Sequence, residues 1–326
     1  MSAARVTAPL VSSFAVAVML CGCRPIAEPP PPADQPAPSA PPSGTPEPEP
    51  EPEPTPALTI TITIDHRPEL AERITAAGYR GAIVILDPAA ATLIVSDPEL
   101  AERQFIPAST FKIPNSLIAL ETGVADSPDF TLKWDGVQRW ASSWNRDHDL
   151  RSAFAVSAVW YYQELARRIG EARMAEWVSA AEYGNADISG GVDAFWLNGA
   201  LRISPREQVE FLQRLHTGAS PFSPTTVARF LDDVMIYAPR PGEWAGTPER
   251  SVRAKTGWAK SEHFTDSVTA GFEGNLGWFV GSFERPDGPR VYFATLLLTP
   301  EPAPDSFADD RPTLTAAALR ELGYLD

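Results

Sequence analysis

The sequence predicts an α+β fold in which strands from both ends of the chain share one antiparallel sheet, with a helical region inserted between them. Strand-like apolar runs occur at 58–64, 81–86 and 92–95, and return at 251–256, 268–272, 278–284 and 291–298. From roughly 107 to 230 the apolar spacing is helical instead. Proline marks the boundary, because 15 of the 34 prolines fall between Arg24 and Ala57. Residues 58–326 keep an ordinary globular composition and form one domain large enough to bury a substantial core.

Each element of that body has a local reason. Residues 58–64 read Leu-Thr-Ile-Thr-Ile-Thr-Ile, the period-two alternation of a half-buried strand. A helix is expected over 68–77, then a hairpin from 81–86 and 92–95, split by Asp87-Pro88. Residues 109–123 read as a helix that stops at Gly123. Ser204-Pro205-Arg206-Glu207 combines an N-cap, a proline at the first helical position and a glutamate that closes a capping box. Val209, Leu212 and Leu215 give that helix its apolar face, and Gly218 stops it. A last helix is expected over 312–322, ending at Gly323.

Ahead of the body, residues 1–22 read as a secretory signal. Arg5 supplies a positive start, and Leu10 to Leu20 is mostly apolar but too short for a mature bilayer span. Leu20-Cys21-Gly22-Cys23 resembles a bacterial lipobox with Cys23 as the lipidated residue; cleavage as an ordinary signal is the alternative. The signal would export the protein to the periplasmic face of the envelope, and lipidation would anchor it to a membrane, the outer in preference to the inner. In either case no cysteine remains in the body, which excludes disulfides and thiolate-bound metals there. Residues 23–57, with Pro-Glu repeats over 46–54, favour an extended polyproline conformation stiffened by charge. The segment is a tether, or a disordered tail with no role. A formal charge of −15 argues against nucleic acid as a partner.

Ser109-Thr110-Phe111-Lys112 places a hydroxyl and an amine one helical turn apart on one face. A helix N-terminus offers the hydroxyl a positive field, and burial of Lys112 among Phe111, Ile113 and Leu117 favours a neutral amine able to act as a base. Pro114 cannot donate to Thr110, so an irregular first turn is expected. With 23 Ser and 4 Lys, ~0.3 such pairs arise by chance, and the pair alone also fits an N-cap serine followed by a surface lysine. Lys255-Thr256-Gly257 and Tyr183-Gly184-Asn185 arise by chance only ~0.02 and ~0.007 times. Two of the four lysines fall in these motifs although arginines number 23, as a role for a proton acceptor would require.

Together, and in this order, the motifs resemble the class D (oxacillinase-type) serine β-lactamases. The resemblance spans roughly residues 60–326. It includes residues 107–115, Leu120-Glu121-Thr122-Gly123, Lys133-Trp134-Asp135-Gly136, Ser157-Ala158-Val159, residues 183–196 and Arg202-Ile203-Ser204. Ser-x-x-Lys and Lys-Thr-Gly are shared with penicillin-binding proteins, whereas Ser-x-Val and Tyr-Gly-Asn point to class D. The resemblance implies a β-lactamase/penicillin-binding transpeptidase-like fold and hydrolysis of penicillin-type β-lactams, conferring resistance to them. It implies that Ser109 forms an acyl-enzyme and that Lys112, carbamylated by CO₂, is the general base, with no other cofactor and no metal. Ser157 would relay a proton to the departing nitrogen, while Trp196 and Val159 would support the carbamate. The oxyanion would sit between the backbone N–H groups of Ser109 and Trp258. Lys255, Thr256, Gly257, Trp258 and Arg311 would bind substrate, with Lys255, Thr256 and Arg311 on its carboxylate. Tyr183, Gly184 and Asn185 would be structural residues near the site.

Several residues keep a second reading. Ser157 could cap the helix that follows, Tyr183-Gly184-Asn185 could be an ordinary turn, Trp196 could be plain core, and Trp144 could line the site or only pack. His66, His148, His216 and His263 lack ligand-like spacing, which disfavours a zinc hydrolase. Phe279 stands where the family commonly has a second Trp. The segment between Gly257 and Gly277 is longer than usual, a hairpin loop beside the site that bears on substrate range. The alternative function is a β-lactam sensor or penicillin-binding domain that acylates without efficient turnover.

Overall fold

A six-stranded sheet organises residues 61–240, 243–244, 252–260, 274–285 and 288–326, the parts of the chain that a computed structural model describes. Its strands are β1 (Thr63–His66), β2 (Arg80–Asp87), β3 (Thr92–Val95), β4 (Arg253–Lys260), β5 (Asn275–Glu284) and β6 (Arg290–Thr299). Their spatial order is β1-β3-β2-β6-β5-β4. Strands from the two ends of the chain meet at β2 and β6, where Val84 pairs with Ala294. The fold is thus the expected α+β arrangement. One pair departs from an all-antiparallel sheet: the chain reverses twice between β1 and β3, so those two run parallel.

Both faces of the central strands are covered, which is why they read as apolar runs. From β2, β5 and β6, the side chains of Val84, Leu86, Trp278, Val280, Ala294 and Leu296 join one core. The intervening Ile83, Ile85, Phe279, Phe293 and Leu297 join a second. The second core is closed by α1 (Pro68–Ala76) and α9 (Phe307–Glu321). The first and larger core is shared with the inserted region. There α2 (Pro98–Glu102), α3 (Lys112–Glu121), α4 (Leu150–Ala155), α5 (Val159–Ile169), α6 (Glu171–Ala180), α7 (Pro205–Thr217) and α8 (Pro224–Asp233) follow one another. On α7 the capping box forms as read, with Glu207 N donating to Ser204 Oγ at 3.1 Å and Ser204 N donating to Glu207 Oε2 at 2.7 Å. Gly218 ends it at φ 74°.

Several expectations need correction. The first strand begins at Thr63 and is mostly exposed, because it is a sheet edge; 58–60 lie outside the described residues. The insertion is not helical throughout. Between α6 and α7 the chain runs as an irregular loop whose turns sit at positive φ on Glu182, Gly184, Ala186, Gly190 and Gly191. The last helix starts at Phe307, not Pro312, because Asp309 and Asp310 supply an acidic first turn. The strand expected over 268–272, the signal, the tether and Cys23 lie outside the described residues.

Candidate active site

The stretch from Pro107 to Lys112 begins as a 3-10 turn at Ala108–Phe111 and becomes α3 only at Lys112. The irregularity is the one expected from Pro114, and a second cause precedes it: Ala108 holds φ 48°, in the left-handed region. The turn presents a half-buried Ser109 over a fully buried Lys112. Lys112 Nζ donates to Ser109 Oγ at 2.8 Å. Burial, and then the charge of Lys255, push the Lys112 amine well below its ordinary 10.5. A neutral amine retains a lone pair and can take the hydroxyl proton along the same line.

The wall around that amine is aromatic. The Tyr162 ring of α5 lies 5.3 Å from Lys112 Nζ. Trp196 stacks on Phe111 with centroids 5.2 Å apart and planes at 24°. Trp196 is buried, yet among the described residues its Nε1–H has no hydrogen-bond partner. Ser157 Oγ is likewise buried and unpartnered. Ser157 does not cap α5: it sits at φ 59°, and Ala158 is the N-cap. Val159 is half-buried at the start of α5, one turn ahead of Tyr162. Buried polar atoms without partners are rare, and Trp196 carries its own against Phe111, which lies between Ser109 and Lys112 in the chain.

Strand β4 brings the second lysine. Lys255 is buried, donates to its neighbour Thr256 O at 3.1 Å and lies over the Phe154 ring at 5.5 Å. Burial, and then the charge of Arg311, lower it to about 7. Thr256 is half-buried beside it. Gly257 is where β4 meets the nucleophile turn: an added Cβ would stand 3.0 Å from Pro107 O and 3.2 Å from Thr110 Cγ2. The strand can come this close only because no side chain intervenes. Trp258, partly exposed at 43 %, donates its indole N–H to Asn275 Oδ1 at 2.8 Å.

Arg311 reaches this strand from α9. Its Nε donates to Phe307 O at 3.1 Å and its Nη1 to the Gly257 carbonyl, beneath the Trp258 and Phe307 rings. Burial lowers it to about 10. Gly277 on β5 admits the helix, since a Cβ there would meet Arg311 Cδ at 2.7 Å. Among the described residues, Lys112, Lys255 and Arg311 have no carboxylate within ion-pair distance. Three buried basic groups without an acid beside them leave the site short of negative charge.

Tyr183, Gly184 and Asn185 brace the loop that carries Trp196. Asn185 Nδ2 donates to Ala200 O and its Oδ1 accepts from Arg202 N, both at 2.9 Å, pinning the loop's two ends. Gly184, at φ 57°, allows Arg202 O to approach where a Cβ would collide at 1.9 Å. Tyr183 packs edge-on against Phe111. Trp144 is pinned by its Nε1–H to Val156 O at 2.8 Å, next to Ser157, and carries the exposed Trp140 against it. Sequence reasoning passed over Gln208 and Asn275, both fully buried; a polar residue on the apolar face of α7 was the available signal for Gln208.

Three comparisons bear on this arrangement. The penicillin binding protein transpeptidase domain family matches residues 81–318. Among curated proteins, β-lactamase OXA-48 of Klebsiella pneumoniae is 40% identical over 221 residues, 68% of this chain and 72% of that protein. β-Lactamase OXA-3 of Pseudomonas aeruginosa is 36% identical over 249 residues, 76% and 81% of the two chains. Among solved structures, the class D β-lactamase YbXI from Nostoc superposes with a TM-score of 0.67 at 39% identity, covering 78% of this chain and 99% of its own.

Proposed function

The chain belongs to the class D serine β-lactamases, enzymes that hydrolyse the β-lactam ring, and from that premise we propose how its own residues divide the work. The carrying observation is the 2.8 Å contact of a buried, neutral-leaning Lys112 with Ser109. Ser109 Oγ attacks the lactam carbonyl as its proton passes to the base at Lys112, and the ring C–N bond breaks to leave an ester on Ser109. Ser157 Oγ relays a proton to the departing nitrogen. The backbone N–H groups of Ser109 and Trp258 hold the oxyanion. Lys255, Thr256 and Arg311 bind the substrate carboxylate, supplying a negative group to a site that lacks one.

Hydrolysis of the ester needs a second base event, and the residues present fit a carbamate on Lys112. A buried amine kept neutral can add CO₂, and Trp196 Nε1–H is a buried donor without an acceptor. Lys112 would carry the group, Trp196 would donate to it, and Val159 would keep its surroundings apolar. When bound, it supplies the general base for acylation and for the deacylating water. We further propose that the enzyme confers β-lactam resistance from the periplasmic face of the envelope, anchored through Cys23 and spaced from the membrane by residues 23–57.

Steady hydrolysis of nitrocefin is the expected result for the parent. One equivalent of product followed by silence would overturn turnover in favour of a sensor or penicillin-binding role. Ser109→Ala should abolish covalent labelling by penicillin; persistent labelling would mean another nucleophile.

A further inference from the structure

Behind the nucleophile lies a buried polar chain that the reaction as described does not use. Thr110, Tyr183 and Gln208 are all fully buried. Gln208 Nε2, from α7, donates to Thr110 Oγ1 at 2.9 Å. Thr110 Oγ1 in turn donates to Pro107 O at 2.8 Å, and the Tyr183 hydroxyl lies 3.4 Å from Thr110 Oγ1. Pro107 O also accepts from Thr110 N at 3.1 Å. One carbonyl earlier, Ile106 O accepts from Trp278 Nε1 of β5 at 2.9 Å. Two successive carbonyls are therefore gripped by different elements, one by a helix through Thr110 and one by the sheet.

The residue that follows them is Ala108, at φ 48°. A left-handed alanine is costly and persists only when its surroundings impose it. That peptide geometry sets the direction of the Ser109 N–H and the seat of its Oγ, the two groups the reaction needs. Thr110 has one hydroxyl proton, and an incoming N–H on its oxygen commits that proton to Pro107 O. Without Gln208, the threonine oxygen keeps only the longer contact to the Tyr183 hydroxyl, to which its own proton can turn, and the clamp on Pro107 loses its fixed polarity.

The geometry points to Gln208 as a positioning residue for the nucleophile, acting through Thr110 to hold the strained Ala108 turn. The assignment rests on Ser109 being the nucleophile. Thr110 is the link, and the two residues work as one unit, so removing either forfeits the same effect.

The test is acylation by a fluorescent penicillin, with sites counted by the mass of the adduct on Ser109. In Gln208→Leu and in the near-isosteric Thr110→Val, the acylation rate constant per titrated site should fall about 10- to 100-fold, the range expected for a misplaced reacting atom. The affinity of the non-covalent complex should stay within about twofold. The double variant should be no slower than the slower single one, and Thr110→Ser, which restores the hydroxyl, should recover most of the rate. A role in packing alone would lower melting temperature and the number of labelled sites while leaving the rate per site unchanged. Thr110→Val carries the comparison if Gln208→Leu does not fold. Absence of any Ser109 adduct in the parent overturns the nucleophile and this proposal with it. A labelled parent with both variants within twofold of its rate per site overturns the proposal alone.

Discussion

Lys255 should be a residue whose removal strengthens the protein while disabling it. Free in the unfolded chain its amine is charged up to an ordinary 10.5; in the folded body burial lowers that to about 7. Between the two values the unfolded state holds the extra proton, so acidification from pH 10.5 toward 7 favours unfolding and stability rises with pH across that window. Each pH unit of separation is worth about 1.4 kcal/mol, and at pH 7 the lysine costs the folded state about 4 kcal/mol. Lys255→Met keeps the aliphatic stem over Phe154 and gives up the hydrogen bond to Thr256 O, a loss of about 1 kcal/mol. The variant should therefore be about 2–3 kcal/mol more stable at pH 7, and the advantage should vanish by pH 10, where the parent lysine is neutral in the fold and the penalty left by its charge in the unfolded chain, about 1 kcal/mol, only offsets the lost hydrogen bond. Urea unfolding followed by tryptophan fluorescence at the two pH values measures both quantities. Its kcat/KM for an anionic penicillin should fall by at least about 100-fold, as the loss of a buried charge partner requires. A variant less stable than the parent at pH 7, or a stability difference independent of pH, would refute the reasoning.

Three other outcomes follow from single contacts. Trp196→Phe removes a buried donor that has no partner, so unfolding free energy should change by no more than about 1 kcal/mol, while the bicarbonate concentration needed for half-maximal turnover should rise steeply; an unchanged bicarbonate response would make Trp196 ordinary core. Lys112→Ala should abolish turnover, and parental enzyme depleted of CO₂ should regain activity on adding bicarbonate; indifference to bicarbonate would remove the carbamate from the mechanism. Gly184→Ala places a Cβ against Arg202 O at a left-handed φ and should cost about 2–4 kcal/mol, read as a lower melting temperature; an unchanged melting curve would mean that the two ends of the Trp196 loop do not meet as described.

What the sequence disclosed and what it hid divide along physical lines. Caps and chemistry were legible because they are local: Ser204 and Glu207 announce a helix start three residues apart, and Ser109 and Lys112 declare their own proximity by spacing. Lys112 burial could be anticipated from its apolar neighbours. The loop between Ala181 and Ser204 was not legible as a loop, because its Phe195, Trp196 and Leu201 look like a buried helical face; it is held by positive-φ turns and by Asn185, which bridges positions distant in sequence. The start of α9 was misplaced because Pro312 imitates a first-turn proline. Arg311 lands beside β4 with its guanidinium on the Gly257 carbonyl under Trp258, a relation only tertiary packing creates.

The pairing of β2 with β6 has a consequence for how this protein comes into being. Val84 meets Ala294 only after more than two hundred intervening residues have been made, and β5, the other neighbour of β6, is also late in the chain. The loop-closure entropy of such a contact is met before any of its burial is returned. During synthesis the early strands can pair only with one another, and Ile106 waits for Trp278 to grip it. The central sheet closes only once β6 has been made, and a chain shortened by its final strand and helix should lack it.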